Sequence, residues 1–179
     1  MKRYREEVLP LIVGAVMIAL AARIEIPLPG TSVPQTAQTL AVLVAGLLFG
    51  SRAGALSAVT YLLLGVLGLP VFAGGSSGVG RLLGATGGFL VGFVVAAWIA
   101  GRWVELGRSR RFWPAMAGMS LAHGAVLSLG WARLAWSVGS ARAWEVGVSP
   151  FLLGGLAKSV IGAALAVLLV RIRRAKGAG

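Results

Sequence analysis

The sequence predicts an all-α integral membrane protein in which six transmembrane helices form one bundle. Of the 179 residues, 58% are hydrophobic and 12% are charged, and the mean hydropathy is +0.88, both far from the values of a soluble domain. Apolar runs separated by Pro, Gly, Arg or Trp recur along the chain, and about 20 apolar residues span a bilayer. We therefore expect one membrane domain over residues 1–179, with no separate soluble domain.

The predicted helices follow these apolar runs in order. They cover residues 8–24, 37–49, 53–69, 87–103, 113–136 and 148–170. The second is short, and its polar beginning indicates that it starts in a polar cavity rather than in lipid. The first has no small-residue cleavage site before Arg23, so we expect it to anchor the chain rather than to be removed as a signal peptide.

Basic residues are distributed unevenly between the two predicted faces of the membrane. One face holds Lys2, Arg3, Arg5, Arg52, Arg102, Arg108, Arg110, Arg111, Arg171, Arg173, Arg174 and Lys176. The other holds Arg23, Arg81, Arg133 and Arg142, and Lys158 lies within a span. By the positive-inside rule, both termini are cytoplasmic and the protein lies in the inner (cytoplasmic) membrane. The net charge of +12 then reflects topology and attraction to anionic lipid rather than binding of nucleic acid.

Several kinds of chemistry are disfavoured by composition. The chain has no cysteine, which excludes disulfides and thiolate metal sites, and with one His and five acidic residues we expect no metal site. It also has no G-x-x-x-x-G-K-[ST] phosphate loop, so any ATP-driven step belongs to another protein and this chain binds no cofactor.

The segment 70–89, PVFAGGSSGVGRLLGATGGF, places seven glycines and Arg81 between two apolar runs. Glycine allows positive φ and close approach of a ligand to the backbone, at an entropic cost that a simple connector does not need. The segment is therefore predicted to be an outward-facing loop that contacts a ligand. The guanidinium of Arg81 is suited to a carboxylate, with a lipid headgroup as the alternative.

Polar groups of three other segments suggest a site beneath this loop. The segment 30–39, GTSVPQTAQT, offers two Gln and three Thr as hydrogen-bonding groups. Lys158 lies about ten residues into the last predicted helix, below Gly154 and Gly155, where it either meets an anionic ligand or extends towards the interface. His123 is a weaker candidate. Apolar walls are available from Tyr61, Phe72, Phe89, Trp131 and Trp136, each of which is also compatible with simple packing.

Ala15, Ala19 and Ala22 form a small-residue stripe on the first predicted helix. Such a stripe permits close approach of another helix in lipid. The partner helix is either in another protein or in this bundle, and spacing alone leaves both open.

The stretch 33–93, VPQTAQTLAVLVAGLLFGSRAGALSAVTYLLLGVLGLPVFAGGSSGVGRLLGATGGFLVGF, resembles the BioY family, the biotin-specific substrate-binding (S) components of energy-coupling factor transporters. The later GVSPFLLGGLAKS, residues 147–159, is similar to that family's last-helix motif. Two positions depart from the family pattern. Ala85 stands where Pro is usual, and Gly155 stands where an Asp is usual before Lys158.

The resemblance implies capture of biotin from outside and uptake with a transmembrane scaffold subunit and two cytoplasmic ATPases. It implies scaffold docking through Ala15, Ala19 and Ala22. It also implies ligand contact or loop closure by a set of residues drawn from the polar segment, the glycine loop and the last helix. With Tyr61 as an apolar wall, the predicted ligand-binding set is Gln35, Thr36, Gln38, Thr39, Tyr61, Gly74, Gly75, Gly78, Gly80, Arg81, Thr86, Gly87 and Lys158.

Two alternatives remain beside biotin capture. One is an S component for another vitamin, such as thiamine or riboflavin. The other is an intramembrane serine protease of the rhomboid type, because Gly75-Ser76-Ser77-Gly78 matches a GxSG motif and His123 is available as a base. We expect no enzymatic activity, because the serine lies in a glycine loop rather than at a helix start.

Overall fold

The computed structural model describes the backbone of residues 2–27 and 34–177, and the side chains of 7–27 and 34–176. Residues 30–33 of the predicted polar segment and the side chains of Lys2, Arg3 and Arg5 lie outside these ranges. The described chain is mostly helical. Its elements are α1 (Lys2–Ala21), β1 (Glu25–Ile26), β2 (Gln35–Thr36), α2 (Gln38–Val66), α3 (Val79–Leu83), α4 (Gly87–Glu105), α5 (Phe112–Val138), α6 (Ser140–Gly147) and α7 (Leu152–Gly177), with 3₁₀ turns at Ala73–Gly75 and Ser149–Phe151. β1 and β2 pair antiparallel.

The helix α2 turns back on itself at Gly50. This residue has φ 83° and ψ 179°, a conformation that is essentially confined to glycine. A Cβ on Gly54 would lie 2.7 Å from the Cα of Gly46, and Gln38 Nε2 donates to Tyr61 Oη at 2.5 Å. In a straight helix, residues 38 and 61 would be about 35 Å apart. The two halves of α2 are therefore antiparallel, and they correspond to the predicted helices 37–49 and 53–69.

Other predicted boundaries differ from the observed ones for local reasons. The predicted helix 8–24 ends at Ala21, because residues 25–26 pair with β2. The predicted helix 53–69 ends at Val66, and Gly68 follows with φ 102°. The predicted helix 148–170 begins at Leu152, because a 3₁₀ turn containing Pro150 precedes it. The short helix α6 was not predicted.

The bundle has two ends that differ in the contacts between their connections. At one end, Arg23 bonds to the Pro70 carbonyl and Glu25 to the Gly74 N–H, so β1 is attached to the loop after α2. At the other end, the Ser51 N–H donates to Glu105 Oε1 at 2.6 Å. Arg173 donates to the Leu48 carbonyl there at 2.7 Å. We refer to these as the loop end and the hairpin end.

Small residues allow the helices to pack closely. Ala96, Ala97 and Ala100 of α4 are fully or almost fully buried. A Cβ on Gly46 would meet the Ala97 carbonyl, and one on Gly101 would meet the backbone at Gly50. Close approach of this kind is the main source of helix association in lipid. It explains why glycine and alanine stand where α2 and α4 cross.

The outer surface of the bundle is apolar over much of its area. Leu9, Leu63, Leu153 and Leu156 are each more than half exposed. Three stretches of the described chain are long and apolar enough to cross a membrane, and Glu7–Ala21 is a shorter apolar helix. The three are Gln38–Val66, Gly87–Glu105 and Ser140–Lys176. These properties are those of a membrane protein.

The alanine stripe of α1 faces the interior of the bundle. Ala15 is 1% exposed and Ala22 is 0% exposed, and Ala19 is partly buried against the core. The neighbouring Gly14 packs so closely on Ser57 that an added Cβ would overlap its hydroxyl. Scaffold docking through Ala15, Ala19 and Ala22 stays a prediction. In this conformation they serve packing of α1 on α2, the other possibility that spacing left open.

Candidate functional site

A cavity of about 250 Å³ lies at the loop end of the bundle. Its volume is near the lower bound of about 300 Å³ that is typical of small-molecule pockets. It is formed by β2, the start of α2, the 67–86 loop and the loop-facing parts of α4, α5 and α7. The predicted site residues that line it are Gln35, Thr36, Gln38, Thr39, Gly74, Arg81, Thr86 and Lys158. Residues distant in sequence are thus brought together as the polar segments had suggested.

The remaining predicted site residues do not line this cavity. Tyr61 is fully buried behind Gln38. The Gly78 N–H donates to the Gly65 carbonyl at 2.7 Å, and a Cβ on Gly87 would overlap the Leu82 carbonyl. These contacts support the fold around the cavity, and ligand contact by these three residues stays a prediction. Gly75 and Gly80 also lie outside the lining, and Gly75 has a positive φ of 66°.

A chain of hydrogen bonds fixes the polar wall of the cavity. Lys158 Nζ donates to the Thr36 carbonyl at 2.6 Å. Thr36 Oγ1 donates to Gln38 Oε1 at 2.9 Å, and Gln38 Nε2 donates to Tyr61 Oη, which in turn donates to the Val71 carbonyl at 3.3 Å. Lys158 thus extends from α7 towards β2 in the wall of the cavity, a position compatible with both alternatives given for it above. Its ammonium has three donors, so two stay available to a ligand.

Two consecutive glycines of α7 make room for side chains from other elements. A Cβ on Gly154 would overlap the amide group of Gln35. A Cβ on Gly155 would lie 3.0 Å from Cδ2 of His123, the only histidine of the sequence. Gly154 and Gly155 therefore allow Gln35 from β2 and His123 from α5 to lie directly against α7.

Aromatic rings form the apolar part of the cavity wall. Phe72 and Phe89, both predicted as candidate walls, line it together with Phe93 and Phe151, which sequence reasoning missed. The rings of Phe89 and Phe151 are 6.3 Å apart, centre to centre. Phe93 follows Phe89 by four residues and so shares its helix face, which is a signal that could have identified it. Phe151 carries no comparable signal.

Two predicted aromatic walls lie elsewhere. Trp131 and Trp136 do not line the cavity, and Trp136 is 90% exposed. Ser77 is also exposed and outside the lining, whereas His123 is buried within it. The described chain therefore does not bring together the serine and histidine of the protease alternative.

The charges around the cavity favour an anion near its mouth. Glu25, Arg81 and Lys158 line it, and Glu25 already accepts a hydrogen bond from the Gly74 N–H. Within the described ranges, the guanidinium of Arg81 makes no hydrogen bond or ion pair. A guanidinium with five free donors is well suited to bind a carboxylate in a bidentate manner. No cluster of three metal-ligating side chains occurs in the described part of the chain.

The fold and the site together define a membrane-embedded helical bundle with a small-molecule pocket at one end. A model of the BioY family matches residues 3–175, and the chain belongs to this family. A probable biotin transporter BioY of Pyrococcus horikoshii is 40% identical over 128 residues, which cover 71% of this chain and 74% of that protein. The biotin transporter BioY of Thermotoga maritima is 36% identical over 157 residues, which cover 87% of this chain and 90% of that protein.

A solved structure shares the fold. It is the crystal structure of the S-component for biotin from an ECF-type ABC transporter, with a TM-score of 0.82 and 20% sequence identity. The match covers 95% of this chain and 93% of that one. The similarity extends over nearly the whole bundle and is not confined to the loop end.

Proposed function

We propose that the protein captures biotin and takes it up across the membrane as the S component of an energy-coupling factor transporter. The observation that carries this proposal is the cavity, which combines a hydrogen-bonding wall, phenylalanine rings and two cations in a chain of the BioY family. The relatives bear the names of biotin transporters and of a biotin S-component. These are transporter proteins and not enzymes.

The chemistry of biotin matches the lining group by group. Its ureido group offers two N–H donors and a carbonyl acceptor, which suit Gln35, Gln38 and Thr39. Its bicycle and alkyl chain suit Phe89 and Phe151. Its carboxylate is an anion of the kind that a free guanidinium binds.

Isothermal titration of the detergent-purified protein tests this function. We expect heat of binding with biotin and none with thiamine or riboflavin. Binding of thiamine or riboflavin in place of biotin would show an S component for another vitamin. Absence of binding to all three would reject the proposal.

We further propose that the chain crosses the inner membrane six times as a single domain, with both termini in the cytoplasm and the cavity facing outward. The reversal of α2 at Gly50 supports two crossings within that one helical stretch. The excess of Arg and Lys at the hairpin end supports the orientation.

The partners of this proposal are a transmembrane scaffold subunit and two cytoplasmic ATPases. The sequence has no phosphate loop, so ATP would be bound and hydrolysed by those partners and this chain would need no cofactor. Co-purification from the native membrane tests the assembly. Recovery of a scaffold and an ATPase pair would support it, and recovery of the chain alone from a membrane that transports biotin would contradict it.

A further inference from the structure

His123 is a polar side chain of the cavity that the described chain leaves without a hydrogen bond. It lines the cavity and is only 7% exposed. Its Nδ1 is buried without a partner, and no residue of the described ranges donates to or accepts from its imidazole. Buried polar groups in native proteins are almost always hydrogen-bonded. The ring is therefore available to a ligand of the cavity.

Gly155 keeps the space in front of this ring open. A Cβ at position 155 would lie 3.0 Å from Cδ2 of His123 and 3.3 Å from Nε2, both closer than ordinary van der Waals contact. Gly155 itself lines the cavity. A side chain at position 155 would stand between the imidazole and a ligand. Access of a ligand to His123 therefore depends on Gly155.

His123 lies on the buried side of the cavity. Its side chain is 7% exposed and lies against Gly155 of α7. Arg81, by contrast, is exposed in α3 within the loop. The guanidinium is thus on the solvent side of the cavity, and the imidazole is on the buried side.

This arrangement favours one orientation of an amphiphilic ligand, with its charged end near Arg81 and its neutral polar end near His123. Moving a carboxylate into the middle of the bundle costs far more free energy than moving a neutral polar group there. A neutral imidazole offers one donor and one acceptor, which suits a ureido group. Resting on the biotin-binding function above, we propose that His123 hydrogen-bonds the ureido group on the buried side of the cavity and thereby determines specificity for it.

Titration of variants with biotin, 2-iminobiotin and biotin methyl ester tests this role. 2-Iminobiotin replaces the ureido oxygen by nitrogen, and the ester alters only the opposite end. We expect His123→Ala to bind biotin at least tenfold more weakly and to reduce the preference for biotin over 2-iminobiotin at least threefold. The preference for biotin over its ester should stay unchanged. His123→Gln should restore part of the affinity, and Ser128→Ala, exposed on the same helix, should match the natural sequence.

The outcomes separate the role of His123 from the proposed function. If the natural sequence does not bind biotin, the function itself is rejected. If it binds biotin but His123→Ala leaves the preference over 2-iminobiotin unchanged, only the role of His123 is overturned.

A spectroscopic measurement on the natural sequence tests the same role without any variant. With any affinity tag removed, the chain has a single histidine, so its isotope-labelled imidazole gives one assignable NMR signal. We expect biotin and its methyl ester to shift this signal alike and 2-iminobiotin to shift it differently. No shift with saturating biotin would overturn the proposal.

Discussion

Arg81 and Lys158 are the two cations of the cavity wall, but they differ in the contacts that they already make. Lys158 donates to the Thr36 carbonyl at 2.6 Å, whereas the guanidinium of Arg81 has no partner within the described ranges. A free guanidinium can bind a carboxylate without giving up another hydrogen bond. We therefore expect the carboxylate of biotin to meet Arg81, and we expect Lys158 to stabilise the cavity wall.

This assignment predicts different responses to esterification of the ligand. The natural sequence should bind biotin methyl ester at least tenfold more weakly than biotin, a difference of about 1.4 kcal/mol. Arg81→Gln should abolish that difference, because it removes the group that senses the carboxylate. Lys158→Met should weaken both ligands, because it leaves the Thr36 carbonyl unpaired, but should keep the difference. Titration calorimetry of the two variants measures this, and the reverse pattern would assign the carboxylate to Lys158.

Gly154 is predicted to be essential for the position of Gln35. A Cβ at 154 would overlap the Gln35 amide, so Gly154→Ala must displace a side chain of the polar wall. We expect biotin affinity to fall by about tenfold, as for the loss of one hydrogen bond. Gly124→Ala is the matched control, because Gly124 is also helical but an added Cβ there meets nothing within 4 Å. Equal affinities of the two variants would show that Gln35 does not contact the ligand.

At the residue scale, the sequence predicted which polar side chains belong to the site but not how deeply each one is buried in the bundle. Gln35, Thr36 and Lys158 stood out because polar groups are rare in this apolar chain. Tyr61 was expected to be a wall but lies behind Gln38. His123 was rated a weak candidate, because its place on the cavity depends on a gap at Gly155 that only the packing of α5 on α7 reveals.

At the scale of elements, the hairpin within α2 is capped by groups from two other helices. Glu105 of α4 accepts from the Ser51 N–H at 2.6 Å and from its hydroxyl at 2.9 Å, at the start of the second half. Arg173 of α7 donates to the Leu48 carbonyl at the end of the first half. An acid at a helix N-terminus and a cation at a C-terminus both complement the helix dipole. The reversal at Gly50 is thus held by electrostatic complementarity as well as by glycine.

This capping predicts a stability difference between two acidic residues. Glu105→Ala should lower the free energy of unfolding by about 1–2 kcal/mol, because it removes the cap of the second half of α2. Glu145→Ala is the control, because within the described part of the chain Glu145 pairs only with Arg142 of its own helix, and both side chains are about 60% exposed. Thermal or denaturant unfolding in the same detergent provides the comparison. A loss no larger for Glu105→Ala than for the control would mean that the cap contributes little.

An element could be predicted from the sequence where residues close to its ends determine where it begins and ends. The reversal near residue 50 was predictable, because Gly50, Ser51 and Arg52 interrupt an apolar run. The burial of Ala15 and Ala22 was not, because a small-residue stripe has the same spacing whether it faces its own bundle or another protein. Helix α6 is short and follows Gly139, and neither its length nor its polar content resembles a span.

At the scale of the whole molecule, most of the basic residues lie at the end opposite the cavity. Arg102, Arg108 and Arg173 are at the hairpin end, where Arg102 lies 3.5 Å from Glu105 and Arg108 stacks over Trp103. The loop end has fewer basic residues, and Arg23 and Arg133 there bond to loop carbonyls. Since cytoplasmic connections carry the excess of Arg and Lys, this asymmetry predicts a cavity that opens outward.

Cysteine labelling of intact cells tests that orientation without background, because the natural sequence has no cysteine. Ser77→Cys introduces an exposed thiol in the loop over the cavity, and Leu106→Cys introduces one in the connection between α4 and α5, where Leu106 is 49% exposed. Neither substitution changes the charge distribution that sets topology. We expect a membrane-impermeant maleimide to label Ser77→Cys directly and Leu106→Cys only after permeabilisation. The opposite pattern would put the cavity on the cytoplasmic side, and a protein with that orientation could not receive biotin from outside.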